Sequence, residues 1–298
     1  MKSLGSIILE KLFFWNKKHD PLRTTEGQQK ELEWNRKKNA KPYKLPPYPF
    51  RCDVKNYYNP KMEYFVLNPK KNQKNKHIIY IHGGGYVNNV RLFHWKFLDE
   101  LATLSGHEIS MPLYPLLPDH TFEEAYSLMV EYYKSILDKY DPEDITIIGD
   151  SAGGGLSLGL SIFFKENNLP QPKNVILISP WVDVTMTNPE IDEISIEDPL
   201  LFPDVLMNIG ELWAGVHNIE NYKVSPLYGD LNDIAPISIF TGTHDILYPD
   251  IKRLYDKLNK STTPVYYFEF TGMDHIFPLL PVPEAKKAMQ DILMLIEN

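Results

Sequence analysis

The sequence predicts an α/β protein with a mostly parallel central sheet and helices on both of its faces. Three observations predict it. Short runs rich in Ile and Val recur at residues 78–81, 108–111, 145–148, 175–178, 237–240 and 265–270. Most are apolar at successive positions, as in strands buried on both faces. Longer helical patterns separate them, and such alternation builds a doubly wound sheet. The 298 residues are 43% hydrophobic, which is enough to enclose a large core.

In chain order, the first 40 residues are polar and helix-prone. Within them, Ile7-Ile8-Leu9 and Leu12-Phe13-Phe14-Trp15 are broken by Glu10 and Lys11 and read as an amphipathic helix. A signal peptide needs a continuous apolar stretch of roughly seven to fifteen residues and a small-residue cleavage site, and neither is present. No run approaches the roughly twenty apolar residues of a membrane span. The expectation is a cytoplasmic protein. The helix is expected to pack on the body. The two other readings are a lid over an active site and a helix lying on a membrane surface, and membrane contact is the less favoured.

Residues 41–49 are Pro-rich and extended, a tether that cannot be helical. Runs at 52–58 and 63–67 are expected to add an antiparallel pair at one sheet edge. Residues 70–76, rich in Lys and Asn, read as a solvated hairpin loop. Helices are expected near 93–104, 154–166, 249–260 and 283–297. In a fifth, Phe122, Tyr126, Met129, Tyr133, Ile136 and Tyr140 share one face. The long stretch between 178 and 237 has no clear strand but holds a helix-like run at 200–213. Insertions of this length are usually functional or disordered.

Charge and cysteine content exclude several classes. There are 31 basic and 39 acidic residues, a net −8 with His neutral. Nucleic acid is not an expected partner, because phosphate binding needs a basic footprint. The lone Cys52 allows no intrachain disulfide and no Cys-ligated structural zinc. His19, His77, His94, His107, His120 and His217 show no metal-ligand spacing and are expected at the surface or in the core. No metal is expected. A monomer and a homodimer both remain open.

Chemistry concentrates in four places. The strand 145–148 runs into Gly149-Asp150-Ser151-Ala152-Gly153-Gly154-Gly155 and then a helix, which is Gly-x-Ser-x-Gly in a strand–turn–helix setting. There a serine occupies a strained tip, Gly149 and Gly153 make room for it, and the helix N-terminus favours developing negative charge. Phosphate-binding turns are the alternative. No Gly-Lys-Ser/Thr is present, Leu158 replaces a required glycine, and no acid ends the next strand.

After the strand 78–81 comes His82-Gly83-Gly84-Gly85-Tyr86. Consecutive glycines let backbone N–H groups face a ligand oxygen, and each preorganised donor is worth roughly 3 kcal/mol to a tetrahedral oxyanion. The donors are assigned to Gly83, Gly84 and Ala152. His82 is expected to brace the loop through backbone hydrogen bonds. A serine nucleophile also needs a base and an orienting acid, in the chain order Ser, acid, His. Asp245 follows the strand 237–240, and His275 follows the strand 265–270. Both lie at strand C-terminal ends, where α/β sheets build sites. The adjacent His244 and Asp274 read as surface residues or loop stabilisers.

Together these segments resemble the hormone-sensitive-lipase-like esterases of the α/β-hydrolase fold. The matching residues are His82-Gly83-Gly84-Gly85, Tyr114-Pro115-Leu116-Leu117-Pro118-Asp119-His120, Gly149-Asp150-Ser151-Ala152-Gly153-Gly154, Ser225-Pro226-Leu227, the loop ending at Asp245, and Gly272-Met273-Asp274-His275. They span roughly residues 60–298. The resemblance implies a small-molecule ester substrate with a short acyl chain and no cofactor. Ser151, Asp245 and His275 would be catalytic; Gly83, Gly84 and Ala152 the oxyanion hole; His82, Gly85, Gly149, Asp150 and Gly153 the supports. It also implies an N-terminal helical cap segment at 1–45 and a catalytic domain at 46–298 with a cap insertion at about 185–223. Pro115 stands where relatives carry Arg. Two other functions use the same residues: a catalytically dead fold serving as a small-molecule receptor, and an amidase or peptidase.

Overall fold

The computed structural model describes residues 2–59 and 61–297. Its first two helices are α1 (Leu4–Lys18) and α2 (Thr25–Asn39). The side chains of Ser3 and Thr24 cap their first turns, and Asp20 and Pro21 start a short 3-10 turn between them. Composition alone showed a single helix-prone stretch here. Residues 41–49 hold neither helix nor strand.

A single sheet then organises the chain. Its strands are β1 (Asp53–Asn59), β2 (Met62–Asn68), β3 (His77–Ile81), β4 (Glu108–Pro112), β5 (Ile145–Asp150), β6 (Asn174–Ile178), β7 (Ile237–Gly242) and β8 (Val265–Phe270). They lie in the order β1-β2-β4-β3-β5-β6-β7-β8. β1 and β2 form the expected antiparallel edge pair, β2 runs antiparallel to β4, and the remaining pairings are parallel.

The expected hairpin loop at 70–76 is corrected by this order. β4 lies between β2 and β3, so the loop is a crossover. Its Lys74 N–H donates to Gly106 O at 2.9 Å, and Lys74 pairs with Glu297 near the C-terminus. A hairpin and a crossover look alike along the chain, because the strand that separates the two comes later.

The helices after the tether are α3 (Leu92–Ser105), α4 (Phe122–Leu137), α5 (Ala152–Glu166), α6 (Glu190–Ile194), α7 (Pro203–Ala214), α8 (Tyr248–Leu258) and α9 (Pro283–Glu297). α4 stops short of Tyr140. Ile79, Ile81, Ile147 and Leu177 face a core shared with α4, α5 and α8. Ile78, Tyr80, Ile148 and Ile176 face the opposite core, shared with α3 and α9. Successive strand residues thus bury on opposite faces, which explains the continuous apolar runs. Among the described residues, no helix is long and apolar enough to cross a membrane.

Candidate active site

The parallel register sets the site. Ile81 of β3 pairs with Gly149 of β5, Asp150 with Ile178 of β6, and Gly242 of β7 with Phe270 of β8. Five strands therefore end along one edge, and the loops carrying residues 82–86, 151, 245 and 275 emerge there.

Ser151 joins β5 to α5 with φ 51° and ψ −123°, a conformation costly for a residue with a Cβ. A Cβ on Gly149 would lie 2.4 Å from Gly153 O, and one on Gly153 would lie 2.0 Å from Ile81 O. The turn closes only because both are glycine. Ser151 N–H donates to Ile178 O at 2.9 Å, anchoring the strained residue to β6.

His275 is buried, and its two ring nitrogens reach two partners. Nδ1–H donates to Asp245 Oδ2 at 2.8 Å, and Ser151 Oγ–H donates to Nε2 at 2.9 Å. These contacts select the neutral tautomer with its proton on Nδ1. Asp245 is buried too, and its other oxygen accepts Leu247 N–H at 2.9 Å. Burial drags the imidazole pKa down, but the carboxylates of Asp245, Asp198 and Asp150 together more than offset this, so His275 lies above the ordinary histidine value.

Asp150 is fully buried behind the serine. It accepts from Tyr80 Oη–H at 2.6 Å, from Gly83 N–H at 2.9 Å and from His94 Nε2–H at 3.4 Å. Despite its burial, these donors hold its carboxyl below the usual range. His82 Nδ1–H donates to Gly83 O at 2.7 Å, and its ring stacks on Tyr114. Burial pushes the His82 pKa down to about 4, so this ring is neutral near pH 7.

The assignment of oxyanion donors changes in one respect. Gly83 N–H is committed to Asp150, and a Cβ on Gly83 would sit 2.3 Å from Asp150 Oδ2. Gly83 fastens the loop and has no N–H left for a substrate oxygen. Among the described residues, the N–H groups of Gly84, Gly85 and Ala152 donate to no protein acceptor. Gly84 and Gly85 have φ of +117° and +61°, which favours glycine.

Several contributors escaped the sequence reading. His94 was expected merely at the surface or in the core, yet it holds Asp150. Asp198, in the long insertion, is buried, with Oδ1 accepting Leu200 and Leu201 N–H at 2.7 and 2.8 Å and Oδ2 accepting Ile246 N–H at 2.9 Å. Asp198-Pro199 reads as a turn start, but no sequence signal ties it to residue 246. His244 and Asp274 do stabilise loops. His244 Nδ1–H donates to Glu10 at 2.9 Å, and Lys2 Nζ lies 2.6 Å from Glu10 and 3.1 Å from Asp274. Glu10, His244 and Asp274 could together hold a cation, but the Lys2 ammonium already supplies one.

Beside the glycine loop lies a cavity of about 570 Å³ between α2 and α7, lined by Leu22, Gln28, Leu32, Val87, Arg91 and Ile209 among others. Ile209 reaches within 3.8 Å of where a Gly85 Cβ would sit.

Sheet order, strained serine turn and glycine loop are those of an α/β hydrolase. Residues 78–279 match the family described as alpha/beta hydrolase fold, and the chain belongs to that family. An esterase of Acinetobacter venetianus is 32% identical over 228 residues, covering 72% of each chain. An acetyl-hydrolase of Streptomyces hygroscopicus is 26% identical over 223 residues, covering 73% of this chain and 74% of its own. Among solved structures, a hormone-sensitive lipase from a metagenome library has a TM-score of 0.79 at 25% identity, covering 90% of this chain and 97% of that one.

Proposed function

We propose that this chain is a carboxylic ester hydrolase that works through an acyl-enzyme on Ser151 and takes small, short-chain acyl esters. The observation that carries the reading is the continuous Asp245–His275–Ser151 hydrogen-bond array, 2.8 and 2.9 Å long, ending on a strained serine. Relatives named esterase and acetyl-hydrolase support the ester class.

Ser151 Oγ attacks the ester carbonyl while His275 Nε2 takes its proton. Asp245 holds the ring and stabilises the imidazolium. The tetrahedral oxyanion is met by the N–H groups of Gly84, Gly85 and Ala152. His275 then protonates the leaving alcohol, and water repeats the sequence on the acyl-enzyme to release the acid. Residues 1–45 and about 185–223 act as a cap over the catalytic domain, and the cavity between α2 and α7 is lined mainly by these two segments.

A panel of p-nitrophenyl esters from acetate to palmitate, run beside Ser151→Ala and fluorophosphonate labelling, tests the reading. Short esters should turn over fastest, and the variant should lose at least about a thousandfold in kcat and escape labelling. Near-normal turnover by Ser151→Ala would refute the nucleophile. An unlabelled wild type would favour the receptor function.

A further inference from the structure

Helix α1 is amphipathic in the reverse sense. A surface helix ordinarily turns its apolar side chains inward and its polar ones to water. Here the polar side chains point inward. Ser6 Oγ–H donates to Glu284 at 2.6 Å, Glu10 is held by Lys2 and His244, and Lys17 Nζ donates to Asp198 O at 2.7 Å. One row of apolar side chains faces out. Leu4, Ile8, Leu12 and Trp15 are 74%, 61%, 52% and 63% exposed. At 100° per residue these four fall within an arc of about 80°. An apolar stripe of this kind marks a surface that something covers.

We propose that the outer face of α1 docks onto an anionic lipid surface. Charge complementarity selects this occupant. The charged side chains on the exposed arc are Lys11 and Lys18, while the helix's one acid, Glu10, is turned inward. Apolar side chains can enter the acyl boundary, Trp15 suits the interface, and the two ammonium groups reach headgroup phosphates and carboxylates. A second copy fits less well. In a two-fold pair the patch meets itself, which brings the Lys11 and Lys18 ammonium groups of both copies into one seam with no acid of α1 to pair with them. The chain's net −8 does not prevent docking, because charges beyond a Debye length of about 10 Å are largely screened at 0.1 M salt. No hydrolytic step enters this inference, so it stands apart from the reading of Ser151.

Flotation of the full chain with phosphatidylcholine vesicles, with and without phosphatidylserine, tests the proposal. The protein should float with both and more strongly with phosphatidylserine. Ile8→Glu combined with Leu12→Glu should weaken binding to both by at least about tenfold. Lys11→Glu and Lys18→Glu should each cost about fivefold on the anionic vesicles alone, as added salt also should. All four substitutions face solvent, so turnover of soluble p-nitrophenyl acetate should be unchanged. A wild type that floats with neither vesicle would overturn the proposal, as would binding indifferent to residues 8 and 12. So would a dimer, seen by sedimentation equilibrium, that Ile8→Glu dissolves; the face would then be a self-interface.

Discussion

At the scale of single residues, the proposed mechanism makes His275 set the pH response. As proposed base it must be neutral, and against the pull of burial the carboxylates of Asp245, Asp198 and Asp150 together hold its pKa above 6.5. Activity should therefore be low at pH 6 and rise through a limb centred above 6.5, read from kcat/KM against pH. A flat profile from pH 5 to 9 would contradict the assignment. Stability runs the other way. A histidine whose folded pKa is raised contributes stability that is complete below its unfolded value and lost as pH climbs through the folded one. The chain should be most active where this contribution has gone. Asp198 is the second lever on the same limb. Its charge adds to that of Asp245 and Asp150 in raising His275, and its carboxylate orders the 245–247 loop through Ile246 N–H. Asp198→Asn should move the acid limb of kcat/KM to lower pH and lower kcat by about tenfold. The limb's position does not depend on how much protein is folded, so an unmoved limb would show that Asp198 is structural only.

At the scale of elements, the glycine loop is gripped from two sides. Asp150, at the end of β5, holds Gly83. Tyr86, with φ 57°, stacks on Trp213 of α7 at 4.1 Å and 3°. Trp213→Ala should cost about 3–5 kcal/mol in denaturant unfolding and lower kcat, because the ring that braces the loop is gone. Gly83→Ala should be worse for turnover, since its Cβ would strike Asp150 Oδ2 and come within 2.9 Å of Ser151 Cβ. These elements also show what the chain discloses before folding. The parallel strands are legible because burial on both faces leaves continuous Ile/Val runs, and the serine turn because its sterics demand glycine at fixed offsets. The grip of His94 on Asp150, the tie of Asp198 to residue 246 and the stacking of Trp213 on Tyr86 join positions far apart in the chain. None imposes a local pattern, so none is legible. The crossover at 70–76 stayed hidden for the same reason: β4 separates β2 from β3 only once the sheet forms.

At the scale of the whole molecule, the N-terminal segment 2–18, which includes α1, runs along one flank of the site and ties three of its loops. Lys2 pairs with Asp274, next to His275. Glu10 pairs with His244, next to Asp245, and Lys17 binds the carbonyl of Asp198. The two cores beneath need little of it. Of its side chains only Leu9 packs against a core, and only partly buried. Removal of residues 1–19 should thus leave the sheet folded, with a melting temperature lower by a few degrees, since about 1 kcal/mol shifts a chain of this size by roughly 2–4 °C. Turnover of a soluble ester should fall, because the loops holding Asp245 and His275 lose their outer ties, and vesicle binding should disappear. The contrast with Ile8→Glu and Leu12→Glu separates the two faces. Those substitutions weaken lipid binding while the inward contacts persist, so soluble turnover survives. If the truncated chain hydrolyses soluble ester as fast as the full one, the inward contacts do not position the triad, and the outward face becomes the helix's sole role.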